Sequence, residues 1–222
     1  MLFRSFQMKT RIATFLFAAF INVAVVSSLH AQLVADGATN TLSNVTNTIT
    51  GDVTIGTNGS FTLLVLSDNA LLTNSANGTI GLNTTAKSNE VRLLSPSARW
   101  LMGGSLYVGN SGAFNRLVVS NGATVRDGVI GFLGLNASAS NNLALITGLG
   151  STWNAGQVWL GLNGVGNQLV VSNGGAVLGD YGYAGLNSSN NLAVVTGSGS
   201  LWSNAVDLQV GNSGAGDRKS VV

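Results

Sequence analysis

Asn142–Gly161 reads NLALITGLGSTWNAGQVWLG, and Asn191–Gly211 reads NLAVVTGSGSLWSNAVDLQVG. Each copy opens with Asn-Leu-Ala and an apolar run. Each then carries Thr-Gly-x-Gly-Ser-x-Trp, with Asn one residue later in the first copy and two later in the second, and closes on an apolar residue before Gly. A unit that returns so closely within one chain is the mark of a repeat architecture, and the search for its period comes before any motif.

An apolar or small residue followed by Gly recurs at Ile55-Gly56, Ile80-Gly81, Val108-Gly109, Leu133-Gly134, Leu160-Gly161, Ala184-Gly185 and Val210-Gly211. The glycines are 25, 28, 25, 27, 24 and 26 residues apart. A second marker keeps step, with Gly122, Gly148, Gly174 and Gly197 each ending an apolar run. Alternate units resemble each other best: Trp100, Trp153 and Trp202 are 53 and 49 residues apart. The full repeat is therefore a pair of units. One has the form LVVSNGGAV (Leu169–Val177, with a relative at Leu117–Val125), and the other is the Trp-bearing form.

Within a unit the apolar runs are short and β-branched, and Asn-Gly, Gly-Gly and Gly-Ser turns bound them. No stretch has the 3.6-residue period of a surface helix. A unit of two or three short strands cannot bury its apolar side alone, but stacking on its copies does so. These observations predict an all-β fold, a β-solenoid (parallel β-helix) of about seven coils of 23–28 residues. Gly and Asn at the corners suit left-handed backbone. Asn136 and Asn187, at equivalent corners, are expected to form hydrogen-bonded ladders along the stack. The recurring Trp is expected to pack at a corner.

Four segments follow. Residues 1–31 carry Arg4, Lys9 and Arg11 before the apolar Ile12–Val26 and small residues near Ala31, the pattern of a signal peptide. The apolar run is shorter than the roughly 20 residues a membrane-spanning helix needs. Residues 32–50 are polar and are expected to be an N-terminal cap or linker. Residues 51–216 hold the repeats. Asp217–Val222 departs from the pattern, where Asn and an apolar strand are expected. It reads as a non-native tail of the kind a sequencing-library adapter encodes, so the chain is expected to be a fragment of a longer one.

Composition narrows function. Charged residues are only 8% and cysteine is absent, against about 25% charge in ordinary domains. From Gln32 to Gly216, five cations (Lys87, Arg92, Arg99, Arg116, Arg126) face seven acids (Asp36, Asp52, Asp68, Glu90, Asp127, Asp180, Asp207). With no clustered basic face, nucleic acid is not an expected partner. The single histidine, His30, lies in the leader, which removes His-based triads and His metal sites. The acids are isolated and read as solvated turn residues. Asp127 and Asp180 come nearest to a pair and are not at matched positions. Gly161–Asn167 has the glycines of a calcium nonapeptide but no Asp. Gly148-Leu149-Gly150 is no phosphate loop, because no Lys-Ser/Thr follows. No catalytic residue, metal or cofactor is expected. Trp159, aligned with Tyr107, is the candidate for an exposed aromatic that contacts a glycan.

The phrase Val195–Trp202, with Leu208–Gly211 and Gly214–Gly216, resembles the type V secretion (autotransporter)/PEP-CTERM-associated repeat. So does Ile146–Trp153 with Val158–Gly175. The resemblance covers about residues 95–216, although Ser97–Trp100 lacks the Thr-Gly-x-Gly part, and is faint over 51–94. It implies a secreted β-solenoid stalk or passenger region of a bacterial surface protein, at the cell surface or outer membrane. The expected role is structural display, with a carbohydrate-binding adhesin as the alternative and a polysaccharide-active enzyme behind it. The expected partners are extracellular polysaccharide or other copies of the chain, and the mature part is not expected to span a membrane.

Overall fold

The computed structural model describes residues 33–221. The expected signal peptide lies outside the described residues. Twenty strands wind into coils, and no helix occurs among the described residues. The first coil is β1 (Thr39–Ser43), β2 (Thr46–Ile49) and β3 (Val53–Ile55). The second is β4 (Leu63–Ser67), β5 (Leu71–Asn74) and β6 (Gly78–Ile80). The third is β7 (Glu90–Leu93), β8 (Arg99–Met102) and β9 (Leu106–Val108). The fourth is β10 (Arg116–Ser120), β11 (Thr124–Arg126) and β12 (Ile130–Leu133). The fifth is β13 (Leu143–Thr147), β14 (Thr152–Asn154) and β15 (Gln157–Leu160). In the sixth, β16 (Gln168–Ser172) precedes a long β17 (Ala176–Ala184) that runs through both remaining sides. The seventh repeats this with β18 (Leu192–Thr196) and β19 (Leu201–Val210), and β20 (Arg218–Val221) lies on β18.

Every pairing is parallel and joins a strand to its copy one coil away. The first sides form an eight-stranded sheet, β1-β4-β7-β10-β13-β16-β18-β20, and the second and third sides form a twelve-stranded sheet. The chain is a β-solenoid of seven stacked coils, roughly 34 Å tall at about 4.8 Å per coil. The segment expected as a cap or linker contains β1 and β2, the first two sides of the first coil. Residues 217–221 continue the stack, with Leu192 paired to Arg218 and Val195 to Val221.

The lower end is closed chemically. In later coils the corner N–H groups donate to carbonyls of the coil beneath, as Leu82 does to Gly56 at 3.0 Å and Asn83 to Thr57 at 3.2 Å. Among the described residues the first coil has no coil beneath it. The Asp36 carboxylate takes that place, accepting from the N–H groups of Thr57 (2.8 Å), Asn58 (3.0 Å) and Gly59 (2.8 Å). Burial alone would raise its pKa, but these three donors outweigh it and hold the group below its ordinary value. Val34 joins the core beneath, with Leu33 against it.

Two interior features set the repeat. The first is a buried asparagine ladder just before the first strand of the third to seventh coils. Asn89, Asn115, Asn142, Asn167 and Asn191 are all 0% exposed. The backbone N–H and side-chain Nδ2 of each donate to Oδ1 of the next. For Asn115 to Asn142 the distances are 2.8 and 3.2 Å, and for Asn142 to Asn167 they are 2.9 and 3.0 Å. Asp217 ends the series, accepting from Asn191 N–H and Nδ2 at 2.9 Å each. A carboxylate accepts both bonds as an amide oxygen does, but unlike the asparagines of the column it has no side-chain donor of its own. Of the corner asparagines expected to bond along the stack, Asn136 and Asn187, Asn136 does so to Asn110 of the adjacent coil at 3.1 Å, but the continuous ladder is this buried column. Both corner residues are exposed.

The marker glycines belong to the same device. Gly56, Gly81, Gly109, Gly134, Gly161 and Gly185 all have positive φ, between 73 and 80°. Each lies against a ladder side chain. A Cβ there would come within 2.1–2.3 Å of Asn89, Asn115, Asn142, Asn167, Asn191 and Asp217 respectively. Glycine is required at these corners by conformation and by space at once.

The second feature explains why two units make one repeat. On the second side, inward residues stack as Leu72, Trp100, Val125, Trp153, Val177 and Trp202. On the third side they stack as Val53, Gly78, Leu106, Gly131, Val158, Gly182 and Leu208. Each indole of an odd coil lies over the glycine of the even coil below. A Cβ on Gly78, Gly131 or Gly182 would meet Cζ2 of Trp100, Trp153 or Trp202 at 2.6, 2.2 and 2.9 Å. Large and small thus alternate along the column, and each indole takes the space that the glycine leaves. The tryptophans thus lie on strands facing the core, not at corners; Trp100 and Trp153 are fully buried and Trp202 is 5% exposed. The even coil also accepts the indole N–H, from Trp100 to Asn74 Oδ1 at 3.0 Å and from Trp153 to Asp127 Oδ2 at 2.8 Å. In the sixth coil Gly179 stands at that place, and the Trp202 indole N–H has no acceptor.

Candidate functional surface

The outward positions of the third side carry the residues singled out as glycan contacts. Tyr107, Phe132, Trp159 and Tyr183 follow one another in register, one per coil. All four stand two residues before a marker glycine, a signal present in the sequence that would have added Phe132 and Tyr183 to the pair Tyr107 and Trp159. The rings contact each other. Tyr107 and Phe132 are stacked at 5.1 Å and 2°. Trp159 is edge-on to Phe132 at 5.4 Å and 74°, and to Tyr183 at 5.4 Å and 71°. The Trp159 indole N–H donates to Gln157 Oε1 at 2.8 Å. Phe132 is 8% exposed, and the other three are half-buried. The spacing follows from the coil rise, and such pairs add about 0.5–1.5 kcal/mol each beyond their area. The column therefore buttresses the sheet from outside, with ring surfaces spent largely on one another. Trp159→Ala, which removes two ring contacts and leaves a gap, is expected to cost about 2–3 kcal/mol in denaturant unfolding.

The acids do not gather. Asp127, expected as a solvated turn residue, is 3% exposed in the core, whereas Asp180 is exposed on β17. The correction follows from the two-coil rule: Asp127 is there to accept from Trp153. Glu90 lies between Arg92, at 2.8 Å, and Arg116, at 3.8 Å. Among the described residues no three of His, Asp and Glu are grouped to hold a metal ion.

Burial pushes the Asp127 carboxyl from 3.8 up to about 7, against the opposing pull of the Trp153 hydrogen bond. A carboxyl raised in the fold binds its proton more tightly there than in the unfolded chain. Its contribution is thus complete below about pH 3.8 and is lost as pH rises towards about 7, on the order of 4 kcal/mol in all. Asp127→Asn should abolish that slope and stabilise the protein at pH 8. Asn74 already fills this place two coils below, accepting from Trp100 and donating to the carbonyls of Ala76 and Asn77 at 2.9 Å. Equal pH slopes for both proteins in thermal unfolding between pH 4 and 8 would contradict this.

No family model, curated protein or solved structure matches the chain.

Proposed function

We propose that the chain is a non-enzymatic display and spacer rod from a secreted bacterial surface protein of the autotransporter or PEP-CTERM type. The observation that carries this reading is the unbroken in-register stack from β1 to β20 with one hydrogen-bonded amide column through its interior. Such a body extends by adding coils and is stiff because every strand is bonded above and below. The leader, with Arg4, Lys9 and Arg11 ahead of Ile12–Val26, supports export. The dispersal of the acids supports a non-catalytic role: Asp36 is spent on backbone donors, Glu90 on arginines and Asp127 on an indole.

Export is tested by fusing residues 1–31 to a reporter active only outside the cytoplasm. The fusion should be active, and replacing Arg4, Lys9 and Arg11 by Glu should silence it. An inactive unaltered fusion would end the secretion reading. Release of reducing ends from a panel of polysaccharides should stay at background. Product formation lost on replacing a single acid would overturn the non-enzymatic role.

A further inference from the structure

The turn from the third side into the next coil holds one column of left-handed residues, immediately before the ladder asparagines and the equivalent Thr62 and Asp217. Its members are Phe61, Ser88, Phe114, Asn141, Gly166, Asn190 and Gly216, with φ of 62, 57, 60, 55, 69, 61 and 74°. The stack imposes this conformation, because from Phe61 to Asn190 each of these N–H groups donates to a carbonyl of the coil above. Phe61 donates to Lys87 at 3.1 Å and Phe114 to Ser140 at 3.0 Å. Asparagine and glycine accept such a backbone readily, whereas a bulky side chain there costs roughly 1–2 kcal/mol. Two coils nevertheless carry phenylalanine, and neither ring joins the core. Phe61 is 75% exposed and Phe114 is 52% exposed.

The pair is spaced by two coils, roughly 10 Å along the rod axis. Around it the turns are rich in exposed amides and hydroxyls. Asn83 bonds Asn58 at 2.7 Å, and Ser138 bonds the Ser111 carbonyl at 2.8 Å. Across turn residues 56–62, 81–89, 109–115 and 134–142 the one charged side chain is Lys87, and the Asp36 carboxylate that Thr57, Asn58 and Gly59 hold is of opposite sign, so these turns carry no net charge. Unlike the self-stacked column at Trp159, these rings have open faces. Strain and exposed apolar area accepted together, in a neutral setting of hydrogen-bonding groups, describe a surface that receives a ligand with both apolar and hydroxyl faces.

We propose that Phe61 and Phe114 form a binding site for an extended neutral polysaccharide running along the rod axis. The C–H faces of two sugar rings would lie on the two phenylalanines, and hydroxyls between them would meet the asparagine and serine side chains of the turns. A straight β-linked chain turns like faces to the same side at alternate sugars, which suits rings on alternate coils. A coiled α-linked chain does not keep that line.

The test is native affinity electrophoresis of the full chain in gels containing hydroxyethyl cellulose, soluble starch or polygalacturonate. Retardation is expected in the first and should be weaker or absent in the other two. The double variant Phe61→Asn with Phe114→Asn should weaken it about tenfold or more, while each single variant loses part. Asparagine is at home at positive φ, so the double variant should keep or raise the melting temperature, which separates binding from folding. Phe61→Tyr with Phe114→Tyr keeps both rings and should keep retardation. Retardation greatest in polygalacturonate, none in hydroxyethyl cellulose, or an undiminished response in the double asparagine variant would overturn the proposal. Export is read separately by the leader fusion, so the two readings fail independently.

Discussion

Gly134→Ala is expected to unfold the solenoid under conditions where Gly150→Ala leaves it intact. The two glycines have nearly the same backbone, with φ of 78 and 80°. Conformational strain from a new Cβ is thus matched, at roughly 1–2 kcal/mol for each. Their surroundings differ. At Gly134 the Cβ would lie 2.2 Å from Asn167 Nδ2 and 2.6 Å from the Ala139 carbonyl oxygen. Neither neighbour can withdraw, since Asn167 is a buried rung bonded to Asn142 and Asn191. Moving it would also strand the N–H and Nδ2 of Asn142 without an acceptor, at about 1–3 kcal/mol for each buried group. At Gly150 the nearest atom is Gly122 Cα at 3.6 Å, an ordinary contact. The loss at Gly134 should exceed about 4 kcal/mol, and that at Gly150 should stay near the strain alone. Chemical denaturation followed by far-ultraviolet circular dichroism measures both. Equal losses would show that the ladder does not depend on these corners.

That contrast also shows what the sequence makes legible. The marker glycines, the turn asparagines Asn121 and Asn173, and the parallel stack could all be read from periodicity, because each is a local residue choice repeated at a fixed beat. What each glycine touches could not. Gly134 meets Asn167, in the turn that opens the coil after next, and a contact between coils leaves no mark within one unit. The tryptophan spacing was visible, but its cause lay on another side of the coil, at Gly78, Gly131 and Gly182. In sequence Asp127 is indistinguishable from a turn acid, because a lone acid beside a glycine looks like any turn; only the position of Trp153 shows that it points inward. The first coil was obscured for a different reason. Thr46, Asn47 and Thr48 in β2 are polar, so this strand is held by pairing with β5 and carries little apolar pattern of its own. Nothing in the sequence marks the phenylalanines at 61 and 114, since only the φ of their column makes them unusual.

Removing one coil should harm the protein more than removing two. Deletion of residues 116–142 joins Asn115 to Leu143 and sets the third coil directly beneath the fifth. Trp153 then lies above Trp100 in place of Val125, and Val158 lies above Leu106 in place of Gly131. The indole loses the glycine that made room for it and the Asp127 that accepted its N–H. Overpacking costs about 1–3 kcal/mol, and an unpaired buried donor about as much again. Deletion of residues 116–167 removes far more chain but joins Asn115 to Gln168, as Asn167 is joined in the intact protein. The third coil then lies beneath the sixth, with Trp100 against Val177 and Leu106 against Gly182. Those pairs have the same large-and-small order as Trp100 with Val125 and Leu106 with Gly131. The asparagine ladder also continues, from Asn115 to Asn191. In a stack whose stability is close to a sum of coil and neighbour terms, the two-coil deletion should melt in one transition, above the melting temperature of the one-coil deletion. The opposite order would mean that coils are interchangeable, and that the alternation of tryptophan with glycine has no part in setting the repeat.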